Sequence, residues 1–214
     1  MGRTPWPLAE PGLWVERLEP AGPTASRPAL FLDRDGTINV DTGYPSHPGE
    51  IELRRPVLPV IRAANRAGMP TVIVTNQSGI ARAFFGWAAF ASVNARLIEL
   101  LKNESCGISM VLACAYHDKG FAPYNVADHP MRKPNPGMVL LAGEMLGCDL
   151  SRSIMVGDKE SDMQAGERAG LAEGWLIGKS GSFSGDSGFA VNPLNSRADH
   201  EALVGRIDAL AAAG

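Results

Sequence analysis

Short, unbroken apolar runs punctuate this chain, and most of them stop abruptly at polar residues. Pro28-Ala29-Leu30-Phe31-Leu32 gives way to Asp33-Arg34-Asp35-Gly36, Thr71-Val72-Ile73-Val74 to Thr75-Asn76-Gln77, and Ser153-Ile154-Met155-Val156 to Gly157-Asp158. Met110-Val111-Leu112-Ala113 and Trp175-Leu176-Ile177 have the same character. Apolar side chains at every position, rather than every second one, predict strands covered on both faces, as a parallel sheet requires. Between these runs the apolar spacing becomes helical. Val57, Val60, Ile61, Ala64 and Ala67 follow Pro56 and stop at Gly68, and Phe90, Val93, Leu97, Leu100 and Leu101 mark a second helix. Val139, Ala142 and Leu146 lie between Asn135-Pro136 and Gly147, a fourth helix runs over 161–169 to Gly170, and Leu203, Val204, Ile207, Leu210 and Ala211 define a last one. Proline in the first turn and glycine just past the last are favoured helix boundaries. Strands alternating with helices predict a doubly wound, mainly parallel α/β sheet, and these elements leave no residues for a separate cap domain.

Residues 1–28 show neither period and read as an irregular leader, with Trp14 and Leu18 as anchors, ahead of a single domain over 29–214. The stretch Gly178 to Gly188 is rich in glycine and serine and reads as a mobile loop. Its Gly178-Lys179-Ser180-Gly181 lacks the spacing of a phosphate loop. His47 and His200 read as loop and helix-surface residues.

Composition narrows the picture. The net charge of -3 argues against nucleic acid as a partner, because a phosphate backbone selects basic surfaces. Three cysteines, an odd number in a chain long enough to build a core, fit a reducing cytoplasm better than a disulfide framework. The first residues lack the basic end and apolar run of a signal peptide, and no stretch reaches the ~18 apolar residues that span a membrane. The expectation is a cytoplasmic protein, monomeric by default, that binds a small molecule.

In a doubly wound sheet ligands bind beyond the carboxyl ends of the strands, which is where the distinctive polar residues cluster. Asp33 and Asp35, two residues apart, repel each other unless a cation or a division of labour separates them. One carboxylate can attack phosphorus and form an aspartyl-phosphate, while the other protonates the leaving group and then activates water. Mg²⁺ suits such a site, since it takes a few carboxylate oxygens together with water and phosphate. A lone Asp-x-Asp is more often a turn with solvated aspartates; the other strand ends shift the balance. Thr75 and Asn76 offer a hydroxyl and an amide to phosphoryl oxygens, Lys133 a compact cation, and Asp158 a further metal ligand. Asp162 supports that ligand from behind or charges the first turn of a helix.

In this order, Asp33-x-Asp35-Gly36-Thr37, Thr75, Lys133 and Gly157-Asp158-x-x-x-Asp162 resemble the haloacid dehalogenase superfamily of phosphatases. The resemblance implies that Asp33 is the nucleophile, Asp35 the general acid and base, and Thr75 and Lys133 phosphoryl ligands. It implies magnesium on Asp33, Asp158 and the backbone carbonyl of Asp35. The stretches 31–39, 75–82, 132–138 and 156–159 are similar to the branch that removes the 7-phosphate of heptose 1,7-bisphosphate, on the route to a lipopolysaccharide precursor. That similarity implies substrate contacts from Arg34, Asp41, Tyr44, Asn76, Gln77, Ser78, Arg132 and Lys159. Histidinol-phosphate phosphatases share much of the pattern, and an inactive sugar-phosphate-binding module is the reading from outside enzymology. The branch commonly carries a zinc loop, Cys-x-His followed by Cys-x-Cys. Here those positions read Cys114-Ala115-Tyr116 and His129-Pro130-Met131, so structural zinc on Cys114, His117 and His129 is not expected.

Overall fold

The computed structural model describes residues 6–19, 26–178 and 188–212. The first predicted strand is β3 (Leu30–Leu32), and it lies in the middle of an eight-stranded sheet. It pairs in parallel with β4 (Thr71–Asn76) on one side and β6 (Ile154–Gly157) on the other. Beyond β4 comes β5 (Met110–Cys114), and beyond β6 come β7 (Glu173–Leu176) and β8 (Ala190–Pro193), all parallel. The chain moves outward from β3 in one direction, then returns to build the other half. The carboxyl ends of β3 and β6 therefore flank the point where the strand order reverses, the favoured ligand crevice of such sheets.

Why these runs are apolar throughout is visible in how they divide between two cores. Leu30, Leu32, Ile73, Val111, Ile154 and Val156 face α1 (Leu58–Arg66), α3 (Trp87–Asn103) and α6 (Arg197–Ala212). Phe31, Val72, Val74, Met110, Leu112 and Met155 face the side of α4 (Gly137–Leu146) and α5 (Glu160–Arg168). Successive side chains point to opposite faces, so a strand with helices on both sides has no place for a polar residue until its end. Each such large apolar side chain contributes about 1.5–3 kcal/mol on burial. Among the described residues, no element stands outside these layers as a cap.

The reading of the N-terminal stretch needs correction. The leader is not irregular: β1 (Leu8–Glu10) and β2 (Leu13–Arg17) form an antiparallel hairpin, and β2 pairs antiparallel with β5 over five residues. Trp14 is buried against Trp6, Trp87 and Phe90, whereas Leu18 is exposed. One short helix, α2 (Ser78–Ala81), was also unforeseen. Of the predicted mobile loop, residues 179–187 lie outside the described residues.

Candidate active site

Every strand that faces the crevice ends on a residue with chemistry. Asp33 follows β3 directly, and its backbone N–H donates to Val156 O at 2.9 Å, which ties the end of β3 to β6. Asp158 follows β6, and Thr75 and Asn76 close β4. Lys133 comes from the segment before α4 and is wholly buried. Its Nζ donates to Val74 O at 2.7 Å and lies 2.8 Å from Asp33 Oδ1 and 2.6 Å from Asp162 Oδ1. Burial by itself would lower the Lys133 pKa, but the Asp162 and Asp33 carboxylates outweigh it and hold it above the ordinary lysine range. Lys133 is thus a fixed cation against the expected nucleophile. Asp162 is fully buried at the start of α5, and its Oδ2 also accepts from Lys159 N–H at 3.0 Å.

Asp33, Asp158 and Asp162 bring carboxylate oxygens within 4.8 Å of one another. Asp158 Oδ1 is buried with no hydrogen-bond partner. Burial first, and the Asp33 charge second, push the Asp158 carboxyl up to about 7. A hard-oxygen cluster containing an orphaned, destabilised carboxylate fits a small divalent cation. Gly36 makes the close packing possible: its φ is +82°, and a Cβ there would collide with the Asp158 carboxylate.

Asp35 is held by four bonds. Arg34 Nε and Nη2 donate to its two oxygens at 3.0 and 2.7 Å, Asn39 Nδ2 at 3.0 Å and Gln77 Nε2 at 2.9 Å. Burial would raise the Asp35 pKa, yet the Arg34 guanidinium and these donors leave it below the usual carboxylate value. Gln77 Nε2 is shared with Thr75 Oγ1 at 2.9 Å, so the two strand-end residues are locked together.

Around these groups lies a cleft of about 240 Å³ lined by Asp35, Asp41, Gly43, Tyr44, Asn76, Gln77, Ser78 and Lys159. Six of the expected substrate contacts thus share one hollow. Arg34 does not join them. It is 1% exposed, with its guanidinium 5.4 Å from the Phe90 ring, so it acts on the cleft only through Asp35. Asn76 reaches the cleft, but its amide is committed to the Lys133 backbone, donating to Lys133 O at 2.9 Å and accepting from Lys133 N–H at 3.1 Å. Arg132 lines a second hollow of about 250 Å³ with Asp118, Asp128 and Asn135. A larger cavity of about 630 Å³, beside Pro56, Pro59 and Val204, contains none of the predicted residues.

Known proteins match this chain over most of its length. A family model described as HAD-hydrolase-like matches residues 130–187. The D-glycero-beta-D-manno-heptose-1,7-bisphosphate 7-phosphatase of Mesorhizobium japonicum is 58% identical over 207 residues, 97% of this chain and 94% of that protein. The chain belongs to the haloacid dehalogenase-like phosphatases. Among solved structures, a HAD-like phosphatase of Mesorhizobium loti superposes with a TM-score of 0.91 at 57% identity, covering 96% of this chain and 98% of that one. The D,D-heptose 1,7-bisphosphate phosphatase of B. bronchiseptica, complexed with magnesium and phosphate, superposes with a TM-score of 0.69 at 25% identity, covering 83% and 98%.

Within this phosphatase the two histidines of the zinc-loop region have other partners. Cys114 is buried, and burial pushes its thiol up to about 11. His117 Nδ1 is 2.8 Å from Asp118 Oδ1, and its Nε2 is 2.9 Å from Arg82 Nη2. His129 stacks on Tyr116, with ring centroids 3.8 Å apart. Two contributors were not foreseen. Asn39 closes the 31–39 stretch, and only the turn itself brings its amide back to the Asp35 carboxylate. Arg82 donates to Tyr44 Oη at 2.9 Å and so fixes the aromatic wall of the cleft; only its place in the 75–82 stretch pointed to it. Among the described residues no helix is long and apolar enough to cross a membrane.

Proposed function

We propose that this phosphatase removes the 7-phosphate of D-glycero-D-manno-heptose 1,7-bisphosphate through an aspartyl-phosphate, with Mg²⁺ held by Asp33, Asp158 and the backbone carbonyl of Asp35. What carries the substrate assignment is the 58% identity, over nearly the whole chain, to a phosphatase named for that sugar. The same name supports the β anomer as the better substrate. The magnesium assignment is supported by the orphaned Asp158 oxygen and by the magnesium in the B. bronchiseptica phosphatase. When bound, the ion would screen the carboxylates from the incoming phosphate.

The chemistry then follows from the chain's own groups. Asp33 Oδ attacks phosphorus as the bond from phosphorus to the sugar oxygen breaks. Lys133, fixed 2.8 Å from Asp33, offsets the negative charge that gathers there. Asp35 gives its proton to the departing sugar oxygen. In the resting site Arg34 keeps Asp35 ionised, and an arriving phosphate dianion raises its pKa and favours the protonated form. Once the sugar has left, ionised Asp35 takes a proton from water, whose oxygen attacks the aspartyl-phosphate; the bond from phosphorus to Asp33 breaks and phosphate departs. Thr75, Ser78 and Lys133 cradle the transferring group, and Asp41, Tyr44 and Lys159 face the sugar.

Asp33→Asn tests the chemistry, since it keeps the shape and removes the nucleophile. Turnover should fall by at least ~10³-fold with substrate still bound, whereas near-normal turnover would refute the assignment. The substrate is tested by kcat/KM for the β anomer, the α anomer and histidinol phosphate. The β heptose should lead, and a preference for histidinol phosphate would overturn the reading.

A further inference from the structure

Between the end of β5 at Cys114 and the start of α4 at Gly137 there is no helix or strand, although this segment carries Arg132 and Lys133. Stretches longer than about 12–15 residues without regular structure are uncommon in compact domains and are usually functional or disordered. Lys133 has its own clamp in Asn76, Asp33 and Asp162. Arg132 has not: it hangs on two backbone oxygens of the same segment, its Nη1 donating to Tyr116 O at 3.0 Å and its N–H to His129 O at 2.8 Å. The question is what fixes Tyr116 and His129.

Both are held by the tip of the N-terminal hairpin. Gly12 N–H donates to Tyr116 Oη at 3.3 Å, and Ala115 N–H donates to Gly12 O at 2.8 Å. The Tyr116 ring lies so close on the Gly12 backbone that a Cβ at position 12 would sit 2.6 Å from ring atom Cζ. His129 stacks on that ring, 20° from parallel. Its Nδ1 accepts from Met131 N–H at 3.2 Å, which leaves the ring proton on Nε2, 3.5 Å from Glu10 Oε1. Glu10 ends β1 and Gly12 lies in the two-residue turn, so one tip grips both supports of Arg132. The tip is itself anchored, because Trp87 Nε1 donates to Pro11 O at 3.0 Å and the hairpin is paired along β5.

We propose that Glu10, Gly12, Tyr116 and His129 form a positioning clasp through which the N-terminal hairpin sets Arg132 for substrate recognition. It rests on the sugar-phosphate reading above and on the substrate contact that the family resemblance implies for Arg132. Because Lys133 is clamped independently, loss of the clasp acts on binding rather than on chemistry.

Tyr116→Ala should therefore raise KM for heptose 1,7-bisphosphate about 10-fold, with kcat held within about threefold, a displacement effect of the size expected for a misplaced recognition group. Tyr116→Phe keeps the ring stack and should restore KM to within about threefold of the parent. Gly12→Ala, which pushes on the same ring from the hairpin side, should reproduce the rise in KM. Deuterium exchange should quicken across 117–131 in Tyr116→Ala and Gly12→Ala and not in Tyr116→Phe. His129→Ala replaces Tyr116→Ala if the latter does not fold. Unchanged KM and unchanged exchange in a folded variant, whatever its melting temperature, would reduce the clasp to ordinary packing and overturn the proposal. If the parent enzyme does not turn over the heptose at all, it is the substrate reading that fails, and the exchange result still decides whether the clasp orders the segment.

Discussion

Lys133 sits where three demands meet: a carbonyl of β4, the expected nucleophile and the buried Asp162 all need its ammonium. Removing it as Lys133→Met leaves two carboxylates with no compensating charge, and breaking a buried pair in this way costs about 3–5 kcal/mol. Urea unfolding should register that loss, and kcat should drop by about 10²–10³-fold, the scale of one lost electrostatic contact to the transition state. A destabilised protein with kcat within threefold of the parent would make Lys133 a structural cation only. Arg34 offers a separate test. It is the cation that brings Asp35 below its ordinary value against the opposing effect of burial. Arg34→Lys loses the two-pronged grip, because an ammonium cannot reproduce the guanidinium fork. Asp35 then titrates higher, so the limb of the pH–rate profile set by Asp35 should move to higher pH. A profile that stays in place would detach Arg34 from the proposed proton-transfer role of Asp35.

The helices and strands were legible in proportion to how fully they are buried. β3, β4, β5 and β6 read as unbroken apolar runs because both of their faces are covered. β1, β2 and β8 did not, since they lie at the margins of the sheet with Glu10, Glu16, Arg17 and Pro193 among their residues. For β2 the deciding partner is β5, about a hundred residues further along the chain. The same division governs the site. Asp33, Thr75 and Asp158 stand at strand ends, where residue order alone marks them. Nothing in the order tells that Asn76 is spent on the Lys133 backbone or that Arg34 is buried on Phe90. Element burial also makes a prediction remote from the chemistry. α6 docks through Leu203, Ile207 and Leu210, away from the crevice. Ile207→Ala should cost about 2–5 kcal/mol in urea unfolding, while kcat stays at the parent value below the unfolding transition. A fall in kcat without a loss of stability would show that α6 acts on the site.

At the scale of the molecule, the fold gathers acidic groups at one point and carries an unfavourable energy for doing so. Asp158 faces Asp33, Asp162, Lys133 and Lys159, and burial followed by the Asp33 charge holds its carboxyl at about 7 against an ordinary 3.8. A folded-state pKa raised above the unfolded one means that the native state binds more protons. The stability contributed by Asp158 is therefore fully present below about pH 4 and is lost as pH rises through about 7. A cation that binds the ionised cluster works in the opposite sense. It must displace the Asp158 proton at low pH, so its apparent affinity weakens by up to about tenfold per pH unit below 7. Because a ligand stabilises the state that binds it, the gain in melting temperature on adding Mg²⁺ should be small at pH 5.5, grow towards pH 7 and then level off. Taking the difference between melts with and without Mg²⁺ at each pH cancels the titrations that do not touch the ion. Asp158→Asn should remove most of this gain at every pH. A gain that is flat from pH 5.5 to 8, or one that survives in Asp158→Asn, would mean that the ion binds elsewhere and that the raised carboxyl is not its ligand.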